Sequence, residues 1–341
     1  MNIKDIAKMA GVGVSTVSRV INDHPDVKDE TREKVKNIIK ESNYIPNNSA
    51  RILKKNNTKN IGVLVKGVFN PFFAEMINII GSKITEKGYT MILQQNDYKT
   101  EEDIDGLIAF VKEKRLQGVI CLGGNFLNVN DESISPLDIP VVLTSVNTIY
   151  KSEENKHKFS SIGIDNVFAA KELTNYLIKK GHKNIAIILG DKNDVGISWL
   201  RLEGYKKAIF ENNLKYLEEN IFIGNYEYEG AYKVAKKIIN ERKDITAIFA
   251  ISDIMAVGAA KAIIDSGLKV GEDISVAGFD GMDITKYYNP EITTVKQPSR
   301  KMAISSIDLI FDLLLKKKEN KHIIFETKII ERKSCKDIKN I

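Results

Sequence analysis

From Asn60 onward, short runs of Val, Ile, Leu and Ala alternate with longer stretches of helical periodicity, and this alternation constrains the fold more than any other feature of the chain. The runs NIGVLVKG, YTMILQQND, QGVICLGG and PVVLTSV read as buried strands, with helices near Phe73–Glu86 and Glu101–Lys114 separating the first three. A second series, SSIGID, NIAIILG, NIFIGNY, TAIFAIS and ISVAGFDG, is interleaved with helices near Val167–Lys180, Leu200–Asn212, Gly230–Asn240 and Ile254–Ser266. Strands that are apolar throughout are buried on both faces, and helices between them act as crossovers, so each series predicts a parallel sheet covered on both sides. Two series predict two doubly wound α/β subdomains, closed by a last helix over Met302–Lys317.

The first sixty residues follow a different rule. Asn2 is a good N-cap, Asp5 can complete a capping box, and Gly11 suits a helix end. A short turn follows before Val14–Ile21 resumes helical spacing, and a third helix starts after Pro25, with Asp29 as its expected cap. Ile6, Ala7, Ala10, Val12, Val17, Val20, Val35 and Ile39 predict one shared core. Two short helices joined through a glycine-containing turn form a helix-turn-helix, whose second helix enters the DNA major groove. On that helix Val14 can contact a thymine methyl, Ser15 can donate or accept, and Arg19 can bind guanine in bidentate fashion. Thr16, Ser18 and Asn22 suit phosphate contacts that set register. Charge agrees. Residues 1–58 hold eleven Lys/Arg against seven Asp/Glu, which places +4 of the chain's +6 in this segment. A small helical hairpin with a polar outer face is the alternative that spacing alone leaves open. Beyond Pro46, Asn47–Lys55 is a short basic segment, too short to be a stable helix without contacts.

The stretch MNIKDIAKMAGVGVSTVSRVIN…TREKV…NYIPNNSARIL, continued by NPFFAE, GHKNIA, RLEGY, SDIMAVGA, GEDISVAGFD and PEITTVKQP, resembles the lac repressor/galactose repressor family of bacterial transcription regulators over nearly the whole chain. The resemblance implies a helix-turn-helix head over residues 1–46, a hinge helix and linker over 47–58, and a body over 59–341 of the periplasmic-binding-protein-like type. The body divides into one subdomain of about 59–159 and 291–320 and another of about 160–290 and 321–335. It further implies operator contacts from Tyr44, Asn47 and Ala50, and insertion of Leu53 into a central minor-groove step, where apolar wedges kink DNA. The implied partners are a pseudo-palindromic operator, a second copy of the chain and a small effector of sugar type. Gly13 departs from the serine usual in that turn and brings no hydroxyl to a phosphate.

Ligands in open α/β sheets bind beyond the carboxyl ends of the strands. Phe72 and Phe73 follow the first strand and are expected to offer two aromatic faces. Asp253 and Asp280 follow later strands and can be either helix or turn caps or ligand carboxylates. Arg201, Tyr226 and Gln297 add a guanidinium, a ring and an amide. Such a set suits a polyhydroxylated ligand, and the family resemblance places Phe72, Phe73, Arg201, Tyr226, Asp280 and Gln297 around an effector cleft. Many sugar-responsive relatives carry an aspartate after the PVVL strand. Here Thr144-Ser145-Val146 stands in that place, which leaves a nucleobase or phosphorylated effector open. Family members that use a phosphorylated carrier protein as co-repressor have an arginine where this chain has Asn289.

Other classes are disfavoured. No G-x-G-x-x-G, P-loop or Ser/His/Asp arrangement is legible, so no catalytic residues and no cofactor are expected. The four histidines show no metal-ligand spacing. The two cysteines are read as one buried thiol, Cys121, and one surface thiol, Cys335, not as a disulfide. The N-terminus has no apolar signal region, no apolar run is long enough to span a bilayer, and a cytoplasmic, nucleoid-associated protein is expected. No leucine heptad follows Glu331, and a dimer is expected.

Overall fold

The computed structural model describes residues 1–21, 23–42, 44, 59–66, 71–96, 103–124, 126, 129, 131–146, 158–191 and 196–339. These fall into two compact units, Met1–Thr58 and Lys59–Ile341. The segment expected to form the hinge, with Asn47, Ala50 and Leu53, lies outside the described residues, as does Asn22.

The head consists of α1 (Ile3–Ala10), α2 (Val14–Ile21) and α3 (Asp29–Glu41). The capping box forms: Asn2 Oδ1 accepts from the Lys4 and Asp5 amides, and Asp5 Oδ2 accepts from the Asn2 amide at 2.8 Å. Gly11 ends α1 at φ 68°, a left-handed conformation that costs glycine nothing. Asp29 does not cap α3. Lys28 occupies that position without a side-chain bond, and Asp29 is the first helical residue, where its charge still favours the helix N-terminus. Ile6, Ala7, Ala10, Val17, Val20, Val27 and Val35 form the core, with Val12, Ile39 and Tyr44 partly buried against it.

The body holds two six-stranded sheets. The first lobe is built from β1 (Asn60–Lys66), α4 (Pro71–Glu86), β2 (Thr90–Asn96), α5 (Asp103–Lys114), β3 (Gly118–Leu122), α6 (Asp131–Ile134), β4 (Val141–Thr144) and β5 (Ser160–Ile164). The second is built from α7 (Asn166–Lys179), β6 (Ile185–Leu189), α8 (Ile197–Glu211), β7 (Ile221–Ile223), α9 (Tyr228–Glu241), β8 (Ala247–Ala250), α10 (Asp253–Ile264), β9 (Ser275–Asp280), α11 (Ile284–Tyr287) and β10 (Thr293–Lys296). The chain returns to the first lobe through α12 (Ser299–Leu314) and β11 (His322–Phe325), and to the second through β12 (Lys328–Ile330). The sheet orders are β11-β5-β4-β3-β1-β2 and β12-β10-β9-β8-β6-β7, parallel except for the β10–β12 pair.

These orders move the expected subdomain boundaries. Ser160–Ile164 pairs with β4 and β11, so the chain leaves the first lobe after β5 and not before it. Likewise Thr293–Lys296 is still a strand of the second sheet, and His322–Phe325 belongs to the first. Each strand joins whichever sheet completes its hydrogen bonds, a non-local condition that composition does not reveal. Cys335 is also corrected: it is buried, with Sγ donating to the Val276 carbonyl at 3.3 Å, because the C-terminal segment runs along β9. Among the described residues no helix is long and apolar enough to cross a membrane, and no cluster of His, Cys, Asp and Glu could hold a metal ion.

Candidate functional sites

In the head, the apolar stripe of α2 turns Val17 and Val20 into the core. The opposite face therefore carries Val14, Ser15 and Arg19 outward, with Thr16 and Ser18 at the margins. Val14 is 41 % exposed. Gly13 supplies its carbonyl to the Thr16 amide at 2.9 Å but has no side chain to reach further. The turn into α3 is held by Arg32, which donates to the His24 carbonyl at 2.6 Å and pairs with Asp23. Tyr44 is half-buried against the head core, and its amide donates to Ile39.

In the second lobe the strands bring together side chains that are far apart in sequence. Asp280, the last residue of β9, is buried and has φ 120°. Its Oδ1 accepts from Gln297 Nε2 at 2.8 Å and lies 3.6 Å from Arg201 Nη1. Arg201 stands in the second turn of α8, also buried. Its guanidinium stacks 3.7 Å from the centre of the Phe279 ring, donates from Nε to Asn166 Oδ1 at 3.0 Å and donates from Nη1 to the Ile251 carbonyl. Asp253, fully buried at the start of α10, accepts from Thr294 Oγ1 and from the Met282 amide, the latter at 2.6 Å. It is not the helix cap; Ser252 is. Asp253 instead ties the loop after β9 to β10.

The electrostatics follow from this crowding. One buried cation, Arg201, pairs with Asp280, and a second buried carboxyl group, Asp253, lies near Asp280. Burial pushes the Asp280 carboxyl up to about 6, against the pull of Arg201 and the Gln297 bond. Burial, and then the nearby Asp280, raise Asp253 well above the usual carboxylate range. Asp280 Oδ2 and Gln297 Oε1 are buried and have no hydrogen-bond partner. A buried acceptor left unsatisfied costs about 1–3 kcal/mol, so this end of the lobe is poised for donors.

Tyr226 lies across Gly190, where any side chain would collide with the ring. Its hydroxyl is 3.0 Å from Ser198 Oγ, which accepts from the Gly190 amide. Ser198, Asn166, Phe279 and Thr294 thus contact the candidate residues although nothing local singled them out.

Phe72 and Phe73 differ from expectation. They begin α4, form an edge-to-face pair with centres 5.3 Å apart, and are buried in the first-lobe core. They do not present two open aromatic faces. Thr144 also points inward, its Oγ1 2.7 Å from Ser306 Oγ, so the end of β4 offers no ligand group through that residue.

Residues 2–47 match the family model for bacterial regulatory proteins of the lacI family, and residues 174–335 match the periplasmic binding protein-like domain. The HTH-type transcriptional regulator MalR of Clostridium butyricum is 62 % identical over 99 % of this chain and 100 % of its own length. The HTH-type transcriptional repressor PurR of Serratia proteamaculans is 35 % identical over 98 % and 97 %. The structure of a complex of the transcriptional regulator CelR with cellobiose superposes with a TM-score of 0.68 at 27 % identity, covering 98 % of this chain and 99 % of that one. The chain belongs to the lacI family of bacterial regulatory proteins and is a DNA-binding transcriptional regulator.

Proposed function

We propose that this protein is a dimeric repressor of carbohydrate-use genes, released from or held on its operator by a neutral, polyhydroxylated effector bound between the lobes. The observation that carries this reading is the pair of unsatisfied acceptors, Asp280 Oδ2 and Gln297 Oε1, beside the buried Arg201. Sugar hydroxyls donate to such oxygens. A phosphorylated ligand would bring further acceptors to a site whose unmet need is for donors. A purine could donate N–H groups, but it gains most from stacking, and Phe72 and Phe73 are buried in the core. Two relatives point the same way: MalR has the higher identity of the two curated regulators, and the CelR complex contains cellobiose.

In this reading Val14, Ser15 and Arg19 read base edges while Thr16, Ser18, Asn22 and Tyr44 hold the backbone. Asn47, Ala50 and Leu53 engage the minor groove. Arg201 orients Asp280, Tyr226 closes the second-lobe wall, and Asp253 acts only by positioning. The effector shifts operator affinity by its differential affinity for two lobe arrangements. The protein performs no catalysis and works in the cytoplasm.

The test is a thermal-shift panel on the full chain with glucose, ribose, maltose, cellobiose, glucose 6-phosphate and hypoxanthine. At 100 times its Kd a bound ligand stabilises by about 2.7 kcal/mol. A neutral sugar that stabilises the protein, changes operator binding and is recovered unaltered supports the proposal. Stabilisation by hypoxanthine or glucose 6-phosphate alone would overturn it.

A further inference from the structure

All six strands of the first sheet run parallel, so their amino-terminal ends share one edge. The connections that enter those strands are basic. Among the described residues they carry Lys59 before β1, Lys87 before β2, Arg115 before β3, Lys158 before β5 and four lysines over 315–321 before β11. Against these eight cations stand Asp138 and Glu319. All eight are exposed. The corresponding connections of the second lobe, those entering β6 to β10, carry six cations and seven anions. Helices end at both edges, and a helix C-terminus favours cations in either lobe. Helix dipoles therefore do not account for the difference.

Part of the basic edge is braced. Lys59 Nζ lies 5.6 Å from the centre of the Tyr89 ring, and Lys87 Nζ lies 6.0 Å from that of Phe311. The two rings meet edge to face with centres 5.0 Å apart. Contacts of this kind hold an ammonium group in place without neutralising it. Phe311 stands in the last turn of α12, and the lysine-rich connection follows directly: the Leu315 amide donates to the Phe311 carbonyl at 3.0 Å and the Lys317 amide to the Asp312 carbonyl at 2.8 Å. The ring pair thus joins Lys59 and Lys87 to the lysines of 315–321. One of those, Lys318, is offset by Asp312.

The same edge is where the chain arrives from the head. The Thr90 amide donates to the Lys59 carbonyl at 2.8 Å and fixes the point of entry. Lys59 follows Tyr44 of the head by fifteen residues, which reach at most about 50 Å when fully extended. A duplex held by the head is therefore tethered to this edge at a high effective concentration. Exposed like charges set side by side repel one another and oppose folding, a cost that a polyanion removes. We propose that the amino-terminal edge of the first lobe binds the phosphate backbone of the duplex that the head holds. Lys59, Lys87, Lys316, Lys317 and Lys321 supply the ammonium groups, and their contacts release counterions from the DNA. Backbone contacts carry no sequence information, so they strengthen binding to operator and to unrelated duplex alike.

The experiment measures fluorescence anisotropy of the full chain on two duplexes of equal length, an operator obtained by binding-site selection and its scrambled sequence, from about 50 to 200 mM salt. It compares wild type with Lys316→Gln/Lys317→Gln/Lys321→Gln and with the same three positions changed to Arg. A second-lobe control, Lys207→Gln/Lys237→Gln/Lys333→Gln, removes equal charge from exposed positions elsewhere. Each lost phosphate contact lowers the slope of log affinity against log salt by about 0.9. We expect the first-lobe Gln variant to bind both duplexes at least fivefold more weakly at the lowest salt, with a slope shallower by at least about 1. The Arg variant and the second-lobe control should stay within twofold of wild type. Lys87→Gln should shift the slope in the same direction by a smaller amount, and it carries the comparison if the triple variant does not fold. Wild-type slope and affinity in the first-lobe Gln variants would overturn the proposal and leave the edge to an acidic protein surface. An equal loss in the second-lobe control would also overturn it, by showing an effect of net charge alone. A loss confined to the operator would overturn the sequence-independent contact.

Discussion

The head and the second lobe solve recognition in opposite ways. On α2 the chemically active groups, Val14, Ser15 and Arg19, stand outside a purely apolar core. In the second lobe Arg201, Asp253, Asp280 and Gln297 are each nine-tenths buried or more and are each held by directed bonds. The difference matches the two ligands. A duplex brings its own charge and geometry, so exposed side chains can adjust to it. A small neutral effector has no net charge to be attracted by, and its hydroxyls compete well only with groups already withdrawn from water. Head residues are therefore expected to affect binding with little effect on stability, whereas second-lobe residues affect both.

Arg201→Met should give the largest effect. It leaves the buried Asp280 carboxylate without its cation and orphans Asn166 Oδ1, so the body should lose about 3–5 kcal/mol. Chemical denaturation of the full chain, followed in the body, measures this, and effector response should vanish with it. Asp280→Asn comes next. It keeps the shape but removes the charged acceptor, weakening effector binding by about 1.5–3 kcal/mol in calorimetry. Arg19→Ala should cost about 1–3 kcal/mol per half-site in operator binding and relax base preference there. Its melting temperature and effector affinity should match wild type; a loss of stability would break the contrast drawn above. Asn2→Ala should cost the head about 1 kcal/mol through the lost cap, with the body melting unchanged.

Acidity sharpens the same contrast. The folded Asp280 carboxyl is raised from 3.8 to about 6. Its contribution to stability is full below the unfolded value and is lost as pH rises through about 6. Effector binding runs the other way, because hydroxyl donors favour the carboxylate: affinity should weaken as pH falls below about 6, and Asp280→Asn should flatten that profile. Titrations across that range check both slopes.

Much of the head and the alternation of the body were legible because they rest on local rules. A capping box, a left-handed glycine and a helical apolar stripe each involve residues within four positions. The misplaced features are those set by distant partners. Ser160–Ile164 reads like the first strand of the second series, and only its pairing with β4 and β11 assigns it to the first sheet. Asp253 looks like a helix cap until Thr294, forty-one positions later, donates to it. Phe72 and Phe73 look like open rings because the sequence does not show that α4 turns them into the core. Lys66 and Asp103 form an ion pair although they are thirty-seven residues apart, and neither belongs to a spaced motif. Composition does not show which charges are buried, and the partner of each buried charge is a property of topology.

Operator affinity of wild type and Asp280→Asn, measured by fluorescence anisotropy with and without the sugar that stabilises wild type, tests the account most directly. Both proteins should bind operator equally without sugar, since the reading face is untouched. Sugar should change the affinity of wild type and leave that of Asp280→Asn unchanged at the same concentration. An Asp280→Asn protein that responds at the wild-type sugar concentration would contradict the assignment of the second-lobe cluster as the effector site.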